Sequence, residues 1–274
     1  MLFRSGTDPT RGTREVRLKD AYGIWSPGGH LRLQAGQFKA PQMIEELLEE
    51  TDLKFVGRSL LSNGAGAPYA YAADPLSIGR QLGVGVGTDR ISIGSMGLTG
   101  QIAVMNGNGP NQLYNDAQYP SVFGRAALDL GGVSIGLWGG FQPRALGDQP
   151  RVYRDNVFSA GADVLVKRGP LHAMLAAVFR STNHVTSKQP NEVGLGLSGE
   201  VAYRFGILEP AVRVSFLDPS DQIPTDALVD VTAGVNLYIP GAPGRLTLDF
   251  THRAEQSGRE LTNDSVELSA QVRF

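Results

Sequence analysis

The chain has 274 residues, of which 41% are hydrophobic and 19% charged, with a net charge of −2 and a mean hydropathy of −0.13. This composition excludes a chain that is disordered throughout, and the charge gives no support to a nucleic-acid-binding role. The uncharged stretches are broken by Gly, Pro, Asn and Asp, and none is typical of a transmembrane helix. If the chain enters a membrane, we therefore expect it to do so as a closed β-barrel.

The N-terminal region shows no signal peptide, because residues 1–4 lead straight into polar sequence. After residue 15, apolar and polar side chains alternate in segments of roughly ten residues, the length of a tilted transmembrane strand. The weaker segments lie at 16–25, 30–40, 79–87 and 91–106.

The alternation becomes regular in the second half of the chain. In the last segment Val266, Leu268 and Val272 fall on one face, and Glu267 and Arg273 fall on the other. The regular segments are 122–130, 133–138, 158–167, 171–180, 193–204, 208–216, 229–238, 246–253 and 266–274. The two faces predict strands that have lipid on one side and water on the other.

The connections alternate between short turns and long polar loops. Short turns lie near 26–29, 87–89, 131–132, 168–170, 205–207 and 240–244, and long loops near 41–78, 107–119, 142–154, 181–192, 217–227 and 255–264. This layout predicts an all-β fold, a single domain over 1–274 that forms an antiparallel transmembrane β-barrel with long loops on one rim and short turns on the other. The predicted location is the cell outer membrane, with outer-membrane lipid as a partner.

The strand count suggests that the N-terminal end is missing. The thirteen segments are an odd number, whereas bacterial barrels have even numbers of strands and both ends in the periplasm. We therefore expect the segment 16–25 to lie at a sheet edge, and further strands and a signal peptide to precede residue 1. At the other end, Phe274 is an aromatic residue on the lipid-facing register, which is typical of strands that the barrel assembly machinery recognises.

Several stretches in the first hundred residues resemble the phosphate-selective porin O and P family. The stretches are LKDAY (18–22), AGQFKAP (35–41), EEL (45–47), DLKFVGRSL (52–60), GRQLGV (79–84) and MNGNG (105–109). The resemblance implies a sixteen-stranded pore, of which about 13 strands are present, a homotrimer, and a loop that folds inward to narrow the lumen.

The loop 41–78 is the longest connection and the only one with helical signals. Met43, Ile44, Leu47 and Leu48 form an apolar stripe, and acidic residues lie beside it. By resemblance this is the constriction loop; the alternative is an exposed lid packed on the rim.

Anion selection requires a positive path through a pore. The candidate pore and anion-binding residues are Arg32, Lys39, Lys54, Arg58 and Arg80. The alternative for any inward base is pairing with an acid on the barrel wall, which stabilises the wall without selecting a solute. The acidic residues between 45 and 52 weaken a specific preference for phosphate.

Motifs for catalysis or metal binding are absent from the sequence: the four histidines are scattered, and neither a nucleophile elbow nor a metal-ligand spacing occurs. We therefore expect no enzyme activity, no cofactor and no bound metal. The favoured function is a passive porin for small hydrophilic solutes, with anions such as phosphate as one class. The alternatives are an outer-membrane barrel without a pore, acting as an adhesin or anchor, and a soluble β-barrel binding protein.

Overall fold

The computed structural model describes residues 2–7, 14–65, 73–147, 152–256 and 263–272, with only the backbone for 2–7 and 14–18. Within these ranges no helix has the length and apolar character needed to cross a membrane. Two short helices, α1 (Ile44–Leu47) and α2 (Leu60–Asn63), lie between the third and fourth strands. The strands are β1 (Leu2–Thr7), β2 (Arg14–Gly28), β3 (Leu31–Lys39), β4 (Arg80–Thr88), β5 (Ile91–Ile93), β6 (Met96–Met105), β7 (Ser121–Asp129), β8 (Val133–Leu146), β9 (Tyr153–Arg168), β10 (Leu171–His184), β11 (Glu192–Tyr203), β12 (Leu208–Asp218), β13 (Leu228–Tyr238), β14 (Gly244–Glu255) and β15 (Ser265–Val272).

All fifteen strands belong to one antiparallel sheet, in which each strand pairs with the next along the chain except that β5 pairs only with β6. The hairpin of β9 and β10 shows why the order is sequential: Arg168 lies opposite Leu171, and the register continues to Asp155 opposite His184. Its two-residue turn begins at Gly169, whose φ of 55° suits glycine. The predicted all-β antiparallel fold is confirmed.

The predicted odd number of strands and the predicted edge position of residues 16–25 are wrong. Residues 2–7 form an additional strand, β1, which pairs with β2 from Leu2 opposite Asp20 to Thr7 opposite Arg14. The predicted edge segment 16–25 therefore lies inside the sheet, between β1 and β3. With β5 set aside, the path through the described residues has fourteen strands, so an odd strand number no longer argues for missing strands. Residues 1–7 lack an alternating apolar pattern, which is why the sequence did not predict β1.

The two faces of the sheet have opposite characters. On β12 the side chains of Val212 and Val214 are exposed, whereas those of Arg213 and Ser215 on the other face are buried. On β15 Val266, Leu268 and Val272 are 57 to 73% exposed, as predicted; Arg273 and Phe274 lie outside the described residues. We call the apolar face outer and the covered face inner.

The inner face is covered by the chain segment between β3 and β4, hereafter the 40–79 segment. Its Met43, Leu60, Leu61 and Leu76 are almost fully buried. They pack with apolar side chains that project from the inner face: Trp138, Ala176, Val178, Leu217 and Leu228. An apolar cluster on the inner face is unusual for a water-filled barrel, whose interior is polar, and it gives the segment a wall to pack against.

Candidate functional site

The 40–79 segment is the candidate functional site, because hydrogen bonds and ion pairs attach it to the inner face of strands that lie far apart in the sheet. Its two ends are joined by the Ala40 amide, which donates to the Gly79 carbonyl at 2.9 Å. Residues 66–72 lie outside the described part of the segment.

The first anchor lies at β7 and β9. The Arg125 guanidinium donates to both carboxylate oxygens of Asp163, at 2.6 and 2.7 Å. The same Arg125 donates to the Gln42 carbonyl at 2.8 Å, and the Ile44 amide donates to Asp163 at 3.1 Å. Arginine and carboxylate form a bidentate pair of fixed geometry, so the pair holds the beginning of the segment in one position.

The second anchor lies at β12 and β13. The Lys54 ammonium donates to both oxygens of Glu209, at 3.0 and 3.1 Å. The Asn236 side-chain amide donates to the Lys54 carbonyl at 2.9 Å. Because Glu209 and Asn236 lie at the ends of β12 and β13 next to short turns, the segment reaches down to the short-turn rim.

The third anchor lies deeper on β12 and β14. The Val56 amide donates to Asp249 at 2.5 Å, and the Arg213 guanidinium donates to the Gly57 carbonyl at 2.8 Å. Arg213 also lies 4.5 Å from the centre of the Phe55 ring. These contacts fix the part of the segment that returns toward the long-loop rim.

The tip of the segment connects the two ends of the sheet. Lys19 of β2 forms an ion pair with Glu50, and the Gln271 side-chain amide of β15 donates to the Glu50 carbonyl at 3.3 Å. Strands near opposite ends of the sheet therefore meet at one residue, as expected when the sheet is curled.

The acids of the segment serve its own structure. Glu45 is 1% exposed. It accepts hydrogen bonds from the Ser59 amide at 2.7 Å and from the Ser62 hydroxyl at 2.9 Å. Glu46, also buried, lies 3.6 Å from the Arg58 guanidinium. The acidic run that the sequence showed is therefore partly internal and does not line an open passage as a whole.

The five predicted bases separate into three locations. Lys39 and Arg58 converge on the Leu48 carbonyl, to which they donate at 2.7 and 2.8 Å. Arg80 lies opposite Lys39 in the register and pairs with Asp20 at 2.8 Å. Lys54 lies across the sheet beside Glu209, and Arg32 lies at the far end of β3 without a hydrogen-bond or ion-pair partner among the described residues.

The acids that hold the segment, Asp163, Glu209 and Asp249, were predicted from the sequence only as wall charges. The alternating pattern placed them on the inner face, but their partners in the 40–79 segment are two backbone amides and a lysine more than a hundred residues away along the chain. A hydropathy pattern cannot predict such pairs.

Described residues line two small cavities beside the segment, among others. One, of about 210 Å³, lies toward the long-loop rim and includes Arg144 and Arg180 in its lining. The other, of about 240 Å³, lies at the short-turn rim and includes Arg204 and Arg245. The described residues hold no group of three or more His, Asp or Glu side chains arranged for a metal ion.

Acid–base groups occur at the long-loop rim. Nδ1 of His184 lies 2.9 Å from Asp155, and its Nε2 lies 3.2 Å from Glu192. Nearby, Asp226 faces the carboxylate of Asp218, and burial together with that neighbouring carboxylate raises the pKa of Asp226 to about 6. These groups come together only through the fold, so no sequence motif revealed them.

Comparison with known proteins identifies the fold and nothing finer. Neither a protein-family model nor a curated protein sequence matches the chain. Among solved structures it is similar to a loop L8 deletion mutant of OmpT, an outer-membrane protein of Vibrio cholerae, with a TM-score of 0.57 and 10% identity over 94% of this chain and 80% of that one. It is also similar to OmpT expressed in the outer membrane of Vibrio cholerae, with a TM-score of 0.54 and 10% identity over 88% and 71% of the two chains.

The fold is that of an outer-membrane β-barrel. The predicted outer-membrane location agrees with this fold and is confirmed at that level. The comparisons do not support membership of the phosphate-selective porin O and P family.

The prediction that the chain is not an enzyme is withdrawn. It rested on missing sequence motifs, whereas the fold shared with the outer-membrane proteins named OmpT does not by itself exclude enzyme activity, because one fold can carry unrelated functions.

Proposed function

We propose that this chain is an outer-membrane diffusion pore for small hydrophilic solutes, and that the 40–79 segment narrows its lumen. The observation that carries the proposal is the anchoring of one segment to β7, β9, β12 and β14 through Arg125, Asp163, Glu209, Arg213 and Asp249. A long loop within a compact fold is usually functional, and one whose described part is bound across the inner face narrows the space beside it.

The test is single-channel conductance in planar bilayers. Wild type should show a small but measurable conductance, and a variant with residues 42–77 replaced by a short Gly-Ser linker should conduct several times more. Replacement of residues 186–190, in another loop of the same rim, is the matched control and should leave conductance unchanged. Equal conductance of wild type and the 42–77 replacement would contradict the proposed constriction.

The second candidate function is an outer-membrane barrel without a pore, acting as an adhesin or anchor. The observation that favours it is the buried apolar cluster around Leu61, Leu76 and Trp138, which fills space that water occupies in an open pore. Under this alternative wild type would conduct nothing, whereas the 42–77 replacement would open a channel.

The charge preference of the pore is a separate part of the proposal. Lys39, Arg58 and Arg80 converge, but Glu46 and Asp20 neutralise two of them. We propose a weak anion preference that depends on Lys39. Reversal potentials in asymmetric KCl should show this preference in wild type and its loss in Lys39→Gln, with Lys167→Gln as a control at an exposed site; an unchanged reversal potential in Lys39→Gln would contradict it.

A further inference from the structure

The cavity at the short-turn rim combines charge with an apolar wall. It has a volume of about 240 Å³ and lies between the turn after β13 and the tip of the 40–79 segment. Arg204, Arg245, Gln271 and Thr51 form its polar side, and Ile239, Ala242 and Pro243 form its apolar side, with Tyr238 between them.

Arg245 is a buried base whose charge is incompletely matched. Its residue is 6% exposed, and its Nη2 donates to the Gln271 side-chain oxygen at 2.6 Å. Its Nε is buried and has no hydrogen-bond partner among the described residues. Asp249 lies within electrostatic range of Arg245 but forms no ion pair with it in the described part of the chain; one of its carboxylate oxygens accepts the Val56 amide. Arg245 lines the cavity and its described hydrogen bond is to a neutral amide oxygen, so the cavity favours a ligand that carries a negative charge.

Arg204 adds a second positive charge to the same cavity. Its Nε donates to the Gly206 carbonyl at 2.9 Å, and its guanidinium lies 3.9 Å from the centre of the Tyr238 ring. Within the described ranges neither Arg204 nor Arg245 forms an ion pair. Arg80, Arg125 and Arg253 of the inner face, by contrast, each lie 2.6 to 2.8 Å from an aspartate.

Glu209, a carboxylate near the cavity, is already engaged. Glu209 accepts hydrogen bonds from Lys54 and from the Tyr238 hydroxyl, the latter at 3.0 Å. It therefore holds Tyr238 in place and does not neutralise the two arginines.

We propose that this cavity is a binding site for a small organic carboxylate. The carboxylate accepts hydrogen bonds from Arg245 and Arg204, since guanidinium groups match carboxylate oxygens in geometry and charge. The hydrocarbon part lies against Ile239, Ala242 and Pro243, where inorganic phosphate would leave apolar surface uncovered. The five bases predicted from the sequence take no part in this site.

The test is calorimetric titration of the purified full chain in detergent micelles, with benzoate, its uncharged isostere benzamide, and inorganic phosphate as probes. Benzoate should bind saturably and more tightly than both other probes. Arg245→Gln should weaken benzoate binding by roughly tenfold or more, the change expected when a charge-assisted hydrogen bond is lost. Arg204→Gln, at an exposed turn that tolerates substitution, should weaken it in the same direction.

Arg168→Gln is the matched control, because it removes the same charge from an exposed position on the same rim, outside the cavity. It should leave benzoate binding unchanged. The proposal is overturned if benzoate does not bind, if phosphate or benzamide binds as tightly, or if all three variants weaken binding equally. Binding is measured without conductance, so the result does not depend on whether the barrel is a pore.

Discussion

The pair of Arg125 and Asp163 is a deeply buried ion pair of the inner face, with side chains 7% and 1% exposed. Such a pair loses the hydration of both charges, and its net contribution to stability depends on how completely its hydrogen bonds are satisfied. Here Asp163 also accepts the Ile44 amide and Arg125 also donates to the Gln42 carbonyl. The pair is therefore part of the attachment of the 40–79 segment as well as of the wall.

Removing one partner should leave the other charge buried without compensation. We expect Arg125→Gln to lower the free energy of unfolding by about 3–5 kcal/mol, measured by urea titration of the chain in lipid vesicles. Arg90→Gln breaks an ion pair in which both side chains are about half exposed and should cost at most about 1 kcal/mol. Similar losses in the two variants would show that burial of the first pair is not what matters.

Glycine on the inner face makes room for aromatic rings. Gly161 lies opposite Trp138 in the register of β8 and β9, and a Cβ at Gly161 would lie 2.5 Å from the indole ring. Gly140 and Phe123 repeat the arrangement on β8 and β7, where the Cβ would lie 2.0 Å from the ring. A ring that covers a glycine in the opposite strand compensates for its missing side chain.

Gly161→Ala should therefore displace Trp138 from the apolar cluster. We expect a loss of about 1–3 kcal/mol, the usual cost of overpacking, together with a shift in tryptophan fluorescence. Gly139→Ala is the control, since its Cβ would meet nothing closer than 3.6 Å. An unchanged unfolding midpoint in Gly161→Ala would mean that the ring moves without cost.

At the scale of single elements, the loop between β12 and β13 is held at both of its ends. The Asp221 carboxylate accepts the Val193 amide at 2.8 Å, and the Asp221 amide donates to the Val193 carbonyl at 2.9 Å. At the base of the loop Asp226 faces Asp218 and, more distantly, Glu192. Glu192 in turn lies beside His184, and Asp155 lies between His184 and Arg144.

This loop should respond to pH. The raised pKa of Asp226, about 6, means that the folded loop favours the protonated carboxyl. The resulting stabilisation is complete below about pH 4, the ordinary range of a carboxyl, and is lost as the pH rises through about 6. A spin label at Thr225→Cys, unique because the chain has no cysteine, should become more mobile over that range.

Asp226→Asn should remove the pH response, because its side chain cannot ionise. Asp264→Asn is the control, since Asp264 bonds to His252 at 2.8 Å in a pair that is about half exposed. A step near pH 6 that persists in Asp226→Asn would assign the response to another group, and its absence from wild type would contradict the prediction.

The strands could be predicted where apolar and polar residues alternate regularly. The prediction was wrong where the alternation is interrupted. The segments 193–204 and 208–216 match β11 and β12 closely because their outer residues are apolar and many of their inner residues are polar. Trp138, Val178 and Leu217 lie on the inner face although they are apolar, which a polar-lumen rule does not allow. For the candidate bases, the alternating pattern predicted which face of the sheet each side chain lies on. It did not predict the partner of each base, because the path of the 40–79 segment determines those partners.

At the scale of the whole molecule, the outer face should determine membrane stability. Val212, midway along β12, is 48% exposed, and Val185, in the loop after β10, is 54% exposed. We expect Val212→Arg to make insertion into the membrane less favourable by about 2–4 kcal/mol, measured by folding into vesicles in a urea series. Val185→Arg should change it by less than about 1 kcal/mol; equal effects would contradict a lipid-facing outer surface.

The contact of Glu50 with both Lys19 and Gln271 also constrains the order of folding events. The bond from Gln271 to Glu50 joins residues 221 positions apart, and that from Asn236 to Lys54 joins residues 182 positions apart. Contacts of such long sequence separation form late, since a long loop must close before they contribute. During synthesis the 40–79 segment is therefore made well before the strands that it finally binds. Its apolar side chains need protection over that interval, and its docking can be completed only when the last strands have joined the sheet.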